Sequence, residues 1–198
     1  MIEQNELLNF HIKKCFYNNR TSQKYIFRNY YFHIRSICEY YTSDNDDELE
    51  NRINMCFLMV FKNIPPEASK EIFDDASFRK WLRKWAVCAI VDYSRKSFRQ
   101  QDIIDFKHAP LVDHANLWKH FLDKISPAFQ KKSKDEVYSA ITSLNPLSRI
   151  ILNLIVVEEF NYADLAKCFG VPVDIATDNA VDAIDNVKRA FSLNNPLF

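Results

Sequence analysis

Apolar residues recur along most of this chain at steps of three and four, the period of a helix with one buried face. Leu7, Leu8, Ile12 and Phe16 predict a helix over residues 3–17, ended by the polar run Asn18-Asn19-Arg20-Thr21-Ser22. A second helix is expected over 23–41 and carries Tyr25, Phe27, Tyr30, Tyr31, Phe32, Tyr40 and Tyr41. Leu49, Ile53, Phe57, Val60 and Phe61 give a third over 47–63, which Pro65-Pro66 stops, since proline cannot continue the backbone hydrogen bonds. A short helix over 68–73 follows, then a long one over 78–98 with Ser77 as its expected cap. Residues 112–125 have helical spacing within a mixed polar stretch, and four more helices are expected at 135–144, 147–157, 161–169 and 173–191.

Composition sharpens this to an all-α fold. One glycine and seven prolines in 198 residues leave little material for the tight turns of hairpins. The pattern divides into an N-terminal helical domain over 1–100, a linker with one helix over 101–133, and a C-terminal four-helix domain over 134–198. The single glycine, Gly170, ends the helix carrying Leu165, Ala166 and Phe169, where a left-handed residue is wanted. Val171-Pro172-Val173-Asp174 then opens the last helix, with proline tolerated near a helix start. Two helices joined by a short glycine turn have the build of a helix-turn-helix.

Glycine poverty also removes glycine-rich phosphate cradles of the Walker and Rossmann kinds. The five cysteines (Cys15, Cys38, Cys56, Cys88, Cys168) are widely spaced, odd in number and without a CxxC pair. They read as buried thiols of a reducing cytoplasm. The five histidines include no i, i+4 pair, and Asp44-Asn45-Asp46-Asp47-Glu48 lacks the glycine and terminal glutamate of a calcium loop. No nucleophile-elbow pattern is present. No metal, cofactor or catalytic set is expected, and the chain reads as a non-enzyme. The longest uncharged apolar run, Trp85 to Val91, is far too short to span a bilayer.

Net charge is zero but unevenly spread. Residues 1–100 hold sixteen basic against thirteen acidic side chains, and residues 134–198 hold five against nine. The long helix concentrates Arg79, Lys80, Arg83, Lys84, Arg95, Lys96 and Arg99 opposite Phe78, Trp81, Leu82, Trp85, Ala89 and Tyr93. That pattern fits a basic face tracking a nucleic-acid backbone, with aromatics near unstacked bases. It also fits a solvated basic face over core tryptophans, which is the reading that spacing alone favours. On the last helix Asp174, Asp178, Asp182 and Asp185 line one face. A helix that reads the major groove usually presents Arg, Lys, Asn or Gln instead. The aspartates form either a plain solvated face or a surface that meets a basic protein partner and keeps DNA away.

Three stretches in order carry a family resemblance. They are Ser77-Phe-Arg-Lys-Trp-Leu-Arg-Lys-Trp-Ala-Val-Cys-Ala-Ile-Val-Asp-Tyr-Ser-Arg-Lys96, Ala140-Ile-Thr-Ser-Leu-Asn-Pro-Leu-Ser-Arg149 and Tyr162-Ala-Asp-Leu-Ala-Lys-Cys-Phe-Gly-Val171. Together they resemble the extracytoplasmic-function sigma factors of bacterial RNA polymerase, over about residues 22–99 and 135–191. The resemblance implies a first domain that docks on core RNA polymerase and melts promoter DNA, and a second that carries a helix-turn-helix for the upstream promoter element. It implies polymerase contacts at Glu50, Asn51, Asn54 and Met55, and DNA contacts along the basic long helix. It places the reading surface of the helix-turn-helix at Gly170, Ile175, Thr177, Asp178 and Asn179. An anti-sigma protein is a regulator common in that family.

Departures from the family pattern are specific. Asn51, Asn54 and Met55 stand where the family shows Asp-x-x-Gln-Glu, while Glu50 matches its acidic residue. Val87-Cys88 replace an Arg-Asn pair, and Thr177-Asp178-Asn179 with Asp182-Ala183-Ile184 replace two basic triplets. Two functions are therefore expected as alternatives. One is a sigma-like initiation protein that binds core polymerase and promoter DNA. The other is a degenerate relative that serves as a protein-binding regulatory module without sequence-specific readout.

Overall fold

A computed structural model describes residues 2–41, 46–64, 74–97 and 133–193. Among these the chain forms eight α-helices and no strand, so the all-α expectation holds. They are α1 (Ile2–Phe16), α2 (Arg20–Tyr41), α3 (Asp46–Lys62), α4 (Asp75–Ser97), α5 (Lys134–Thr142), α6 (Pro146–Val156), α7 (Tyr162–Phe169) and α8 (Val173–Leu193). The expected helices at 68–73 and 112–125, and Arg99, lie outside the described residues. The helices gather into two compact units that divide between Gln100 and Gln101.

In the first unit α2, α3 and α4 pack on one another, and α1 lies against α2. Ile26, Ile34 and Ile37 of α2, Ile53, Phe57 and Val60 of α3, and Phe78, Leu82 and Ile90 of α4 make its core. The uncharged run from Trp85 to Val91 predicts a buried middle for α4, and residues 86–91 are buried while Trp85 is half-buried. Asn18 takes a positive φ of 57° at the α1–α2 turn, a conformation asparagine tolerates better than most residues.

The buried faces of α1 and α4 and the cap of α4 differ from expectation. On α1 the buried row is Leu8, Ile12 and Cys15, while Leu7 and Phe16 are exposed. This helix packs mainly on α2, and one neighbour covers only a narrow stripe. On α2 only Tyr30 and Tyr41 of the seven aromatics are buried, and Phe32 points to solvent. On α4, Trp81 and Trp85 are half-buried and Tyr93 is exposed. Trp81 stacks on the Phe78 ring at 5.8 Å and meets Trp85 edge-on at 6.2 Å. The cap of α4 is Asp74, whose carboxylate accepts from the Ser77 backbone N–H at 2.7 Å. Asp74 sits three residues before Ser77 and so satisfies an otherwise unpaired amide of the first turn.

The second unit is built on well-capped helix starts. Ser133 and Glu136 form a reciprocal capping box on α5, and Asn161 and Asp164 form one on α7. Asn145 caps α6 by accepting from Ser148 N–H at 2.9 Å, with Pro146 in its first turn. Gly170 ends α7 at φ 64°, ψ 38°, the left-handed turn its position predicts. After Val171 and Pro172, α8 runs for 21 residues against α5, α6 and α7. Its buried stripe is Ala176, Ala180, Ala183 and Val187. The buried face is thus a narrow row of mostly small side chains. Val173 and Val181 are exposed and Ile184 is half-buried.

Candidate binding surfaces

The basic residues of α4 fall in two adjacent rows. Arg79 and Arg83 share one, and both guanidinium groups turn back onto rings of α2. Arg79 lies 5.2 Å from the Tyr30 centroid and Arg83 5.9 Å from that of Tyr40, within cation–π range. Arg79 Nε also donates to Asp75 Oδ2 at 2.6 Å, so part of its charge is already neutralised. Lys80 and Lys84 form the second row, exposed and half-buried respectively. Arg95 and Lys96 continue the same helix toward its C-terminus. A helical cation row with apolar Phe78 and Leu82 on the buried side can follow a phosphate backbone without unfolding anything.

Asp75 anchors the start of this helix. Tyr30 donates to it from α2, and its carboxylate accepts from Arg79. Burial pushes the Asp75 carboxyl up, but these hydrogen bonds outweigh it and hold its pKa below the ordinary value. His33 Nε2 lies 3.2 Å from the Arg79 carbonyl, and burial lowers the His33 pKa despite that bond. Beside these groups opens a cleft of about 490 Å³, lined by Asn5, Tyr25, Asn29, Tyr30, Asp75 and Arg79 among others. Nothing in the sequence announces this cleft, because its residues come from three helices with no shared spacing.

On α3, Asn51 and Asn54 are exposed, Glu50 and Met55 half-buried. Glu50 accepts a hydrogen bond from the Tyr31 hydroxyl, and Arg35 Nη1 lies 3.7 Å from the same carboxylate. Arg35 also pairs with Glu39 at 2.7 Å. Of the four candidate contact residues, Glu50 is thus tied to α2, while Asn51, Asn54 and Met55 lie along the outward side. Leu58 extends that side and is 68% exposed. The step from Asn54 to Leu58 is readable as one helical row, yet Leu58 counts as core by composition alone.

The α7–α8 surface has Gly170 at the turn and Ile175, Asp178 and Asn179 along the first turns of α8. Ile175 and Asp178 are exposed and Asn179 half-buried. Thr177 donates its hydroxyl to the Val173 carbonyl at 2.8 Å, which directs it to its own helix. Asp174, Asp178 and Asp182 are exposed. Asp185 accepts from Lys188 Nζ at 2.8 Å, and that bond holds its carboxyl below the usual range. Val181, 46% exposed, flanks the row of Asp178 and Asp182. The helix therefore shows solvent an acidic face with an apolar residue at its edge. Phosphates would meet repulsion along its first three turns.

Among the described residues no group of three or more His, Cys, Asp or Glu side chains is placed to hold a metal. None of the described helices is long and apolar enough to cross a membrane. No family model matches this sequence, and no curated protein matches it significantly.

Proposed function

We propose that this protein is a sigma-like transcription initiation factor that binds core RNA polymerase and promoter DNA, without a catalytic step of its own. The observation that carries the reading is α4. Its sequence holds the most distinctive of the resembling strings, and Arg79, Lys80, Arg83 and Lys84 lie along it opposite buried Phe78 and Leu82. The glycine turn between α7 and α8 supports the same reading. In this role α3 docks on polymerase through Asn51, Asn54 and Met55, with Glu50 positioned by Tyr31 and Arg35. The basic rows of α4 hold the promoter near the melted region, where affinity comes from neutralised phosphates.

The test is co-elution of the purified full chain with bacterial core RNA polymerase, at low and then physiological salt. Salt-resistant co-elution supports the reading, and its absence at both salt concentrations overturns it.

A second reading has its own observation, the exposed acidic face of α8 at Asp174, Asp178 and Asp182. On that reading the protein is a sigma relative whose last helix meets a basic protein partner and reads no promoter. The two separate on DNA. A factor of the first kind binds a duplex with a premelted bubble in a salt-dependent way, and a protein of the second kind does not.

A further inference from the structure

Cys38 on α2 and Cys56 on α3 are both fully buried, and their sulfurs lie 3.7 Å apart. A disulfide needs its sulfurs at about 2.05 Å, so the side chains must close by roughly 1.7 Å to bond. The two helices already pack side by side, and both residues are reduced thiols here. Cys56 has a second contact, its thiol facing the Ala86 carbonyl of α4 at 3.6 Å. That thiol therefore sits where α2, α3 and α4 meet, and its hydrogen can point to either helix.

We propose that Cys38 and Cys56 are an oxidisable pair that a hydroperoxide converts to a disulfide, fastening α2 to α3. One thiol ionises and its thiolate attacks a peroxide oxygen. The O–O bond breaks, giving a sulfenic acid and an oxyanion that takes up the released proton as water or alcohol. The second sulfur then attacks the sulfenic sulfur. The S–S bond forms, the S–O bond breaks, and the departing hydroxide leaves as water with the proton of the second thiol. The two thiols lose two electrons in total, and the peroxide gains them.

Burial sets the rate of this reaction. The hydrogen bond with Cys38 and then desolvation push the Cys56 thiol well above its ordinary pKa, and a thiol, unlike a thiolate, is a poor nucleophile. Reaction waits on an opening of the α2–α3 seam that admits peroxide and water. Once formed, the disulfide removes the hydrogen that Cys56 directs at Ala86. A sulfur contact between α3 and α4 is thereby exchanged for a covalent bond between α3 and α2. Any consequence for polymerase docking through α3 rests on the proposed function, but the bond itself does not.

The experiment is treatment of the full-length chain with hydrogen peroxide, followed by thiol blocking, non-reducing digestion and mass spectrometry. The expected product is a peptide pair joined through Cys38 and Cys56, lighter by two hydrogens and separated by dithiothreitol. It should form faster in sub-denaturing urea, which opens the seam without unfolding the chain. Cys38→Ala and Cys38→Val, checked for helix content by circular dichroism, should lose the linked pair. Sulfinic acid at Cys56 without a link, a link from Cys56 to another cysteine, or no oxidation at this pair would overturn the proposal. All of these readouts are independent of polymerase, so a chain that fails to bind polymerase still decides for or against the disulfide.

Discussion

The Tyr30 hydroxyl donates to Asp75 Oδ1 at 2.5 Å, fastening the middle of α2 to the first residue of α4. Tyr30 is buried, and its ring packs edge-on against Phe78 at 4.9 Å. The helix that carries the basic rows is thus set by a bond at its start. Tyr30→Phe keeps the ring packing and removes the donor. The expected loss is about 1 kcal/mol at neutral pH, kept small because the Asp75 side chain is half exposed and partly screened. Asp75 has a folded pKa below its unfolded value. Its contribution is therefore present above the unfolded value and lost as pH falls through the folded one. Urea denaturation at neutral and strongly acid pH should show a smaller gap between wild type and Tyr30→Phe in acid.

His33 and His11 give a second handle on pH, nearer neutrality. Burial lowers both. His33 lies against the Arg79 carbonyl, and His11 stacks on Tyr25 at 3.9 Å with Nδ1 3.0 Å from Ser22 Oγ. A base whose folded pKa is depressed leaves the native state holding fewer protons than the unfolded chain. Stability is then intact above the unfolded value of about 6.5 and declines as pH falls through it toward the folded value. Denaturation midpoints followed from about pH 7.5 to about pH 5 should fall for wild type. The double variant His11→Gln with His33→Gln should fall less over the same window.

Gly170 should be sensitive to backbone chemistry and indifferent to size. Its φ is +64°, yet nothing lies within 4 Å of where a Cβ would stand. Gly170→Ala should cost about 1 kcal/mol from the left-handed backbone alone. Gly170→Asn should cost less, since asparagine tolerates that conformation. Thermal melts of the full chain decide it. An asparagine variant as damaged as the alanine one would mean that contacts, and not φ, set the cost.

The eight described helices are legible in the sequence because their apolar spacing is regular and their stops are chemically distinct, as with Gly170 and Asn145. What spacing does not reveal is which part of each apolar set finds a neighbour. Leu7 and Leu8 look alike in sequence, but only Leu8 is buried. Val173 and Val181 look like core beside Ala176 and Ala180, but α8 buries only its small-residue stripe. The basic and acidic rows of α4 and α8 follow from spacing. The pairing of Arg79 with Asp75 follows too, four residues apart on one helix, but its turning onto Tyr30 does not, because that depends on how α2 and α4 pack. The Tyr31–Glu50 bond joins residues 19 positions apart on separate helices, and no local pattern announces it. Ser77 and Asp74 are equally good caps by residue type, and only the backbone decides which carboxylate or hydroxyl reaches the free amide.

Charge on α4 and on α8 should act differently on nucleic acid. Lys80 and Lys84 lie on the outward row of α4. Replacing both with alanine should weaken binding to a premelted duplex and lower the slope of log affinity against log salt by about one per residue removed. Replacing Asp178 and Asp182 of α8 with asparagine removes two exposed negative charges without adding a donor cation. If DNA lies along α4 and not along α8, the second pair should change affinity by less than about twofold at physiological salt, where exposed charges beyond about 8 Å are largely screened. Fluorescence anisotropy across a salt series measures both. A rise of about tenfold for the asparagine pair, worth about 1.4 kcal/mol, would put α8 against the phosphates and make its aspartates a brake on binding. No change for the lysine pair would remove α4 as the DNA surface and leave the protein-binding reading in its place.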